Sequence, residues 1–183
     1  RVVQECAKGL VDIHRDGASL AFAAPELKRS SPSPTVLAQI AGALGLKPAQ
    51  VVAAQVLDNG PVWFGLLLDS PQSVLGLQPD HAQLKALGWK AGVANVGVAA
   101  ADAGLPQVVV RAFASPIGVN EDPVTGSAHT SLAPYWAQRL GKTVLSAEQG
   151  GARKGQLQCE VPDNGRVVIS GQAALYLRGV IYL

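Results

Sequence analysis

Apolar positions along the chain recur with two periods, and the switches between them mark its elements. Val11 and Ile13 alternate with polar neighbours, Asp16-Gly17 is a turn dipeptide, and residues 20–24 supply a return strand. Residues 1–24 therefore read as a β-hairpin, which Pro25 ends. Residues 28–34 hold two prolines and no apolar period, so they read as a connection. Ser33 followed by Pro34 starts a helix, because a serine hydroxyl suits the N-cap and proline suits the first turn. Val36, Leu37, Ile40 and Leu44 then share one helical face as far as Gly45. Strands are predicted over 51–57 and 62–68, joined by the turn Asp58-Asn59-Gly60. Two short helices follow, one near Pro71 and one over 79–87, and then strands over 93–99 and 107–113.

After Phe113 comes a loop over 114–126, and then a helix from Ser127 to about Leu140, stopped by Gly141. Ala128, Leu132, Ala133, Tyr135, Trp136, Ala137 and Leu140 occupy most sides of this helix, which predicts that sheet wraps around it. Pro134 inside it predicts a kink or a helix boundary. The remainder reads as strand over 156–161, a turn at Pro162-Asp163-Asn164-Gly165, and strands over 166–170 and 173–183. Hairpin-linked strands with helices interspersed predict an α+β fold with largely antiparallel pairing.

Composition narrows the classes of function. Of 183 residues, 48% are hydrophobic and 15% charged, so disorder is excluded. A net charge of +2 with no Lys/Arg cluster argues against a nucleic-acid binder. No apolar run reaches the ~18 residues of a membrane helix, so no membrane partner is expected. Cys6 and Cys159 make no disulfide framework and predict a reducing, cytoplasmic setting. His14, His81 and His129 lack metal-ligand spacing, and no G-x-G-x-x-G follows a strand. Gly141-Lys142-Thr143 has Trp136 where a phosphate-binding P-loop needs its first glycine. Neither a cofactor nor a metal is expected. Methionine is absent throughout, position 1 included, so Arg1 is not expected to be where translation starts.

The chemistry concentrates in Asn120-Glu121-Asp122-Pro123-Val124-Thr125-Gly126-Ser127-Ala128-His129. This is a strand–loop–helix junction with small residues where the helix begins. The first backbone N–H groups of a helix have no partner inside it, and the helix dipole adds positive potential there. Gly126 lets a ligand approach that backbone closely, and Ser127 adds a hydroxyl donor, which makes a site for a carboxylate or phosphate. Asp122 can accept from a ligand amine or hydroxyl. The same residues also fit a plain helix start, with Thr125 or Ser127 as N-cap and Asp122-Pro123 opening a turn. Arg111, on the strand entering the loop, is expected to pair with Glu121 rather than to bind ligand. Residues 150–155 fit either a phosphate-binding loop or an ordinary turn, and the turn is the better fit.

Residues 121–129 with Leu132-Ala133-Pro134-Tyr135-Trp136, preceded by Val110-Arg111-Ala112-Phe113 and followed by Gln149-Gly150 and Arg153, closely resemble the signature of the phenazine-biosynthesis PhzF-like family. The resemblance is strongest over about 108–160 and continues more weakly elsewhere. It implies a diaminopimelate-epimerase-like fold, in which two halves each wrap an antiparallel sheet around a central helix, with the site between them. It also implies cofactor-independent isomerisation by proton transfer on a small carboxylate-bearing metabolite. By the same resemblance Asp122 is the catalytic residue, Gly126 and Ser127 hold the substrate carboxylate with Thr125 beside them, and His129 belongs to the supporting shell. Thr125 stands where related epimerases and racemases place a catalytic cysteine, and a threonine hydroxyl is too weak an acid to replace a thiolate unaided.

The family's catalytic glutamate and Gly-His motif have no counterpart here. Residues 1–25 and 171–183 are therefore expected to be remnants of a first, incomplete half-domain, and 26–170 the second half-domain. Such a piece is expected to be inactive alone and to associate as a homodimer or with a complementing chain. A non-catalytic ligand-binding or assembly module that keeps only the anion pocket is the alternative.

Overall fold

Ser33 accepts a hydrogen bond from Val36 N at 3.3 Å and opens α1 (Pro34–Ala43), as its position ahead of Pro34 predicts. This and the following geometry come from a computed structural model that describes residues 2–6, 9–96, 108–174 and 176–180. Three strands precede the helix region: β1 (Val2–Cys6), β2 (Gly9–Asp16) and β3 (Ser19–Ala23). After the short β4 (Lys28–Ser30) and α1 come the hairpin β5 (Val51–Asp58) and β6 (Val62–Leu68), the helices α2 (Pro71–Leu75) and α3 (His81–Leu87), and β7 (Ala91–Val96). Next are β8 (Val108–Ala114), β9 (Val119–Asp122), α4 (Gly126–Leu140), β10 (Val144–Gln149), β11 (Gly155–Glu160) and β12 (Val168–Gln172).

The strands form one sheet in the order β1-β2-β3-β12-β11-β10-β8-β7-β6-β5-β4, with β9 paired to β8 off this path. Pairing is antiparallel except between β6 and β7 and between β8 and β10. Each parallel join needs a crossover, supplied by α2 and α3 in one case and by α4 in the other. The α+β class with mostly antiparallel pairing is thus as expected.

Strand alternation divides the core into two layers. From β6, Trp63 and Leu67 face α4, whereas Phe64, Leu66 and Leu68 pack with Ile40, Leu44, Val74 and Leu84 of α1–α3. From β8, Val108, Val110 and Ala112 face α4, and Phe113 faces the other helices. Leu145, Leu157, Cys159 and Ile169 of β10–β12 complete the shell around Ala133, Trp136 and Ala137 of α4. The helix is wrapped by sheet, which accounts for its apolar residues on most sides. Truncating one of these fully buried side chains to Ala costs about 2–5 kcal/mol.

Several expectations are corrected. Residues 28–30 form β4 rather than a connection, because their backbone pairs with Val56, Leu57 and Asp58 although their side chains are exposed. The loop 114–126 contains β9, and 144–149 form β10. α4 runs unbroken across Pro134, which therefore marks no boundary. Residues 173, 174 and 176–180 form no strand, and Tyr176, Leu177 and Val180 are exposed. The predicted strand residues 97–99, 107, 175 and 181–183 lie outside the described residues. His81, which its place near the start of a short helix predicts to be exposed, is half-buried, with Nδ1 3.1 Å from Ser115 Oγ. No helix among the described residues is long and apolar enough to cross a membrane.

Candidate functional site

Asp122 ends β9, and its carboxylate turns back on the chain that follows. Oδ1 accepts from Val124 N at 3.3 Å and Oδ2 accepts from the Thr125 hydroxyl at 2.8 Å. Thr125 occupies the N-cap of α4 in an extended conformation, φ −123° and ψ 94°, yet its side chain does not cap the helix. Gln149, fully buried at the end of β10, explains why. Its Nε2 donates to Thr125 Oγ1 at 2.7 Å and to the Asp122 carbonyl at 2.6 Å, while its Oε1 accepts from Thr125 N at 2.9 Å. The hydroxyl that ordinarily satisfies a helix start is thereby held away from it. The N–H groups of Gly126, Ser127 and Ala128 are left without an acceptor among the described residues, next to the positive end of a 15-residue helix.

Neighbouring strands fix the rest of the junction. Phe22 of β3 lies against Gly126, with its Cζ 3.2 Å from where a Cβ would stand, so a larger residue there would press on the ring. Trp63 Nε1 donates to Ser127 Oγ at 2.9 Å. Asn59 Nδ2 donates to the Ser127 carbonyl at 2.9 Å and to Ser131 Oγ at 3.0 Å, and it also bonds Thr130 Oγ1. Gly155 packs its backbone against the loop, since a Cβ there would lie 1.7 Å from Val124 Cγ2.

Asp122, Gly126 and Ser127 come together at the half-exposed start of α4, as the motif predicts. Thr125 and His129 sit beneath them, 7% and 2% exposed. His129 Nδ1 is 2.9 Å from the Thr125 carbonyl, so Nδ1 carries the ring proton. Burial lowers the His129 pKa to about 4, against the opposing pull of that hydrogen bond and of the Asp122 charge. The imidazole is neutral at pH 7 and braces the loop from below, away from the open side.

Arg111 is fully committed. Its Nε and Nη2 donate to the two Glu121 oxygens at 2.7 and 2.8 Å, and Nη1 donates to the Leu77 carbonyl at 2.7 Å. Of residues 150–155, 150–154 form the turn between β10 and β11 and Gly155 opens β11, and Lys154 pairs with Glu148 at 2.6 Å. No group of three or more His, Cys, Asp or Glu gathers as a metal site among the described residues.

Three supporting residues receive no site role from the sequence: Gln149, which enters only within the family signature, Asn59 and Trp63. For Gln149 a signal existed, because it continues the inward parity of Leu145 and Ala147 and so places an amide in the core. Asn59 reads only as turn chemistry, and Trp63 as a core residue whose indole N–H needs a partner that the sequence does not name.

Comparison with known proteins places this geometry. An uncharacterized isomerase of Pseudomonas aeruginosa is 47% identical over 175 residues, which cover 96% of this chain and 62% of that relative. The chain thus spans about three fifths of the curated relative's length. A PhzF-family phenazine biosynthesis protein of Enterococcus faecalis, known by crystal structure, superposes on 100% of this chain and 65% of its own with a TM-score of 0.77 at 31% identity. A predicted epimerase from Pseudomonas aeruginosa shares the fold alone, with a TM-score of 0.69 at 18% identity, covering 97% of this chain and 64% of that structure. The architecture is accordingly that of the PhzF and diaminopimelate-epimerase-like fold. The profile of the phenazine biosynthesis-like proteins, PhzC-PhzF, matches residues 1–179, and the chain belongs to that family.

Proposed function

We propose that this chain carries the carboxylate-holding side of a cofactor-independent isomerase that moves a proton on a small carboxylate-bearing metabolite. One observation carries the reading: Thr125 is held off its own helix by Gln149 and Asp122, which leaves three N–H donors and the Ser127 hydroxyl open beside an aspartate. A substrate carboxylate docks on the N–H groups of residues 126–128 and on Ser127. Asp122 then stands within reach of the carbon or leaving proton and gives or takes that proton. A proton shift needs a second acid or base on the opposite side of the carbon, which this chain's motif does not supply. The 183 residues alone are therefore inactive, and turnover requires that group from a further segment of the protein, a complementing chain or a second copy. Exposed Val2, Val3, Leu10, Tyr176 and Leu177 support such association. Free Cys6 and Cys159 suit a reducing cytoplasm.

The test is solvent deuterium incorporation into a panel of small amino- and hydroxy-carboxylates by the protein from its native source, compared with its Asp122→Asn variant. Exchange that the variant loses supports the isomerase. Carboxylate binding at residues 126–128 without any exchange favours a binding module instead, and absence of binding refutes both.

A further inference from the structure

We propose that Trp63 is a positioning residue that makes the Ser127 hydroxyl a one-way donor at the anion site, an inference that rests on the reading above. Trp63 is 3% exposed on the α4-facing side of β6, and its indole N–H donates to Ser127 Oγ at 2.9 Å. An indole nitrogen cannot accept, so the direction of this bond is fixed. The hydroxyl hydrogen of Ser127 must then point elsewhere, and it has no acceptor among the described residues. It lies at the second position of α4, among the open N–H groups of residues 126–128. An oxyanion bound there supplies the acceptor that the fold withholds.

The same hairpin grips Ser127 a second time. Its carbonyl accepts from Asn59 Nδ2 at 2.9 Å, from Thr130 Oγ1 at 2.9 Å and from Ser131 Oγ at 3.0 Å. The backbone of residue 127 is thereby held in place, and its hydroxyl turns away only by breaking the bond from Trp63. Lys90 Nζ lies 5.3 Å from the centroid of the Trp63 ring, and a cation held there draws on the ring's electrons and strengthens the N–H as a donor. A bland reading competes: Ser127 merely satisfies a buried indole N–H. The two differ in what an anion does to the indole.

The experiment titrates the 15N-labelled chain with sodium acetate, using sodium chloride at equal ionic strength as control. The Trp63 indole resonance is assigned from its NOE contacts to Ser127 and checked against W63F. The expected result is that the Trp63 indole and the amides of residues 126–128 shift together with one apparent Kd. W63F and S127A each weaken acetate binding roughly three- to tenfold, and the double variant is no weaker than S127A, because both changes remove one donor. An amide spectrum with native dispersion shows that each variant is folded. If W63F does not fold, the wild-type indole decides: a resonance that stays still at saturating acetate overturns the proposal. Acetate bound equally well by W63F, or losses that multiply in the double variant, also overturn it while leaving the carboxylate site intact. If acetate moves none of the amides of residues 126–128, the carboxylate reading and this proposal fall together.

Discussion

Replacing Gln149 with Leu tests the core of the site argument, because one fully buried amide holds the loop by three hydrogen bonds. Leucine fills nearly the same space but leaves Thr125 N–H and the Asp122 carbonyl without their partner. Each buried orphan costs about 1–3 kcal/mol, so the loss is about 2–6 kcal/mol before the leucine's own burial offsets a part. Native domains have only about 5–15 kcal/mol in total, so the variant is folded but strongly weakened. For a chain of this size the melting temperature falls roughly 2–4 °C per kcal/mol, hence on the order of 10 °C. The second effect is specific: the Thr125 hydroxyl, then held by Asp122 alone, turns toward its own helix and competes with any bound anion. Urea unfolding followed by tryptophan fluorescence reads the first effect, and acetate titration of the amides of residues 126–128 reads the second. Thr125→Val is the companion variant, since it also breaks the network but has no hydroxyl with which to cap. Q149L should lose acetate affinity several-fold while T125V keeps it within about twofold. A Q149L loss below about 1 kcal/mol with unchanged acetate affinity would refute the argument.

Three further outcomes follow from the geometry. The native His129 pKa, near 4, lies below its unfolded value of 6.5, so the unfolded chain binds more protons between them. Stability is therefore full above pH 6.5 and falls by about 3 kcal/mol towards pH 4, and His129→Phe flattens that slope in urea titrations at stepped pH. Gly155→Ala drives a methyl into Val124 and the Pro123 carbonyl, so it costs about 1–3 kcal/mol or more by thermal melting and shifts the residue 126–128 amides. Burial raises the Cys159 thiol to about 12, so a thiol reagent at pH 8 labels exposed Cys6 at once and Cys159 only after unfolding; two fast-reacting thiols contradict the packing.

Local chemistry was legible where local chemistry decides. Ser33-Pro34 announced α1 and Gly141 closed α4, whose terminal glycine takes φ 63°. Asp122, Gly126 and Ser127 were readable because they are near neighbours in the chain, and the family resemblance named the architecture. β10 was missed because Gln149 puts a polar group where Leu145 and Ala147 promise an apolar one. β4 was missed because a ladder with β5 decides it and no side-chain pattern reports that ladder. The Thr125 N-cap was foreseen as one alternative, but not the rotation of its hydroxyl, which depends on a residue 24 positions on. Trp63 and Asn59 act on Ser127 across 64 and 68 positions, distances over which no periodicity carries information.

The pairing of β3 with β12 has a kinetic meaning. Leu20 lies opposite Gly171, and Ser19 reaches the Gly171 carbonyl over 152 positions of sequence. Loop closure on that scale is slow compared with the formation of a hairpin such as β5–β6. Phe22, which stands in that ladder opposite Ile169, is also the ring that lies against Gly126. One wall of the proposed carboxylate site therefore rests on a ladder whose two strands lie far apart in the chain, and whatever opens that ladder also removes the wall.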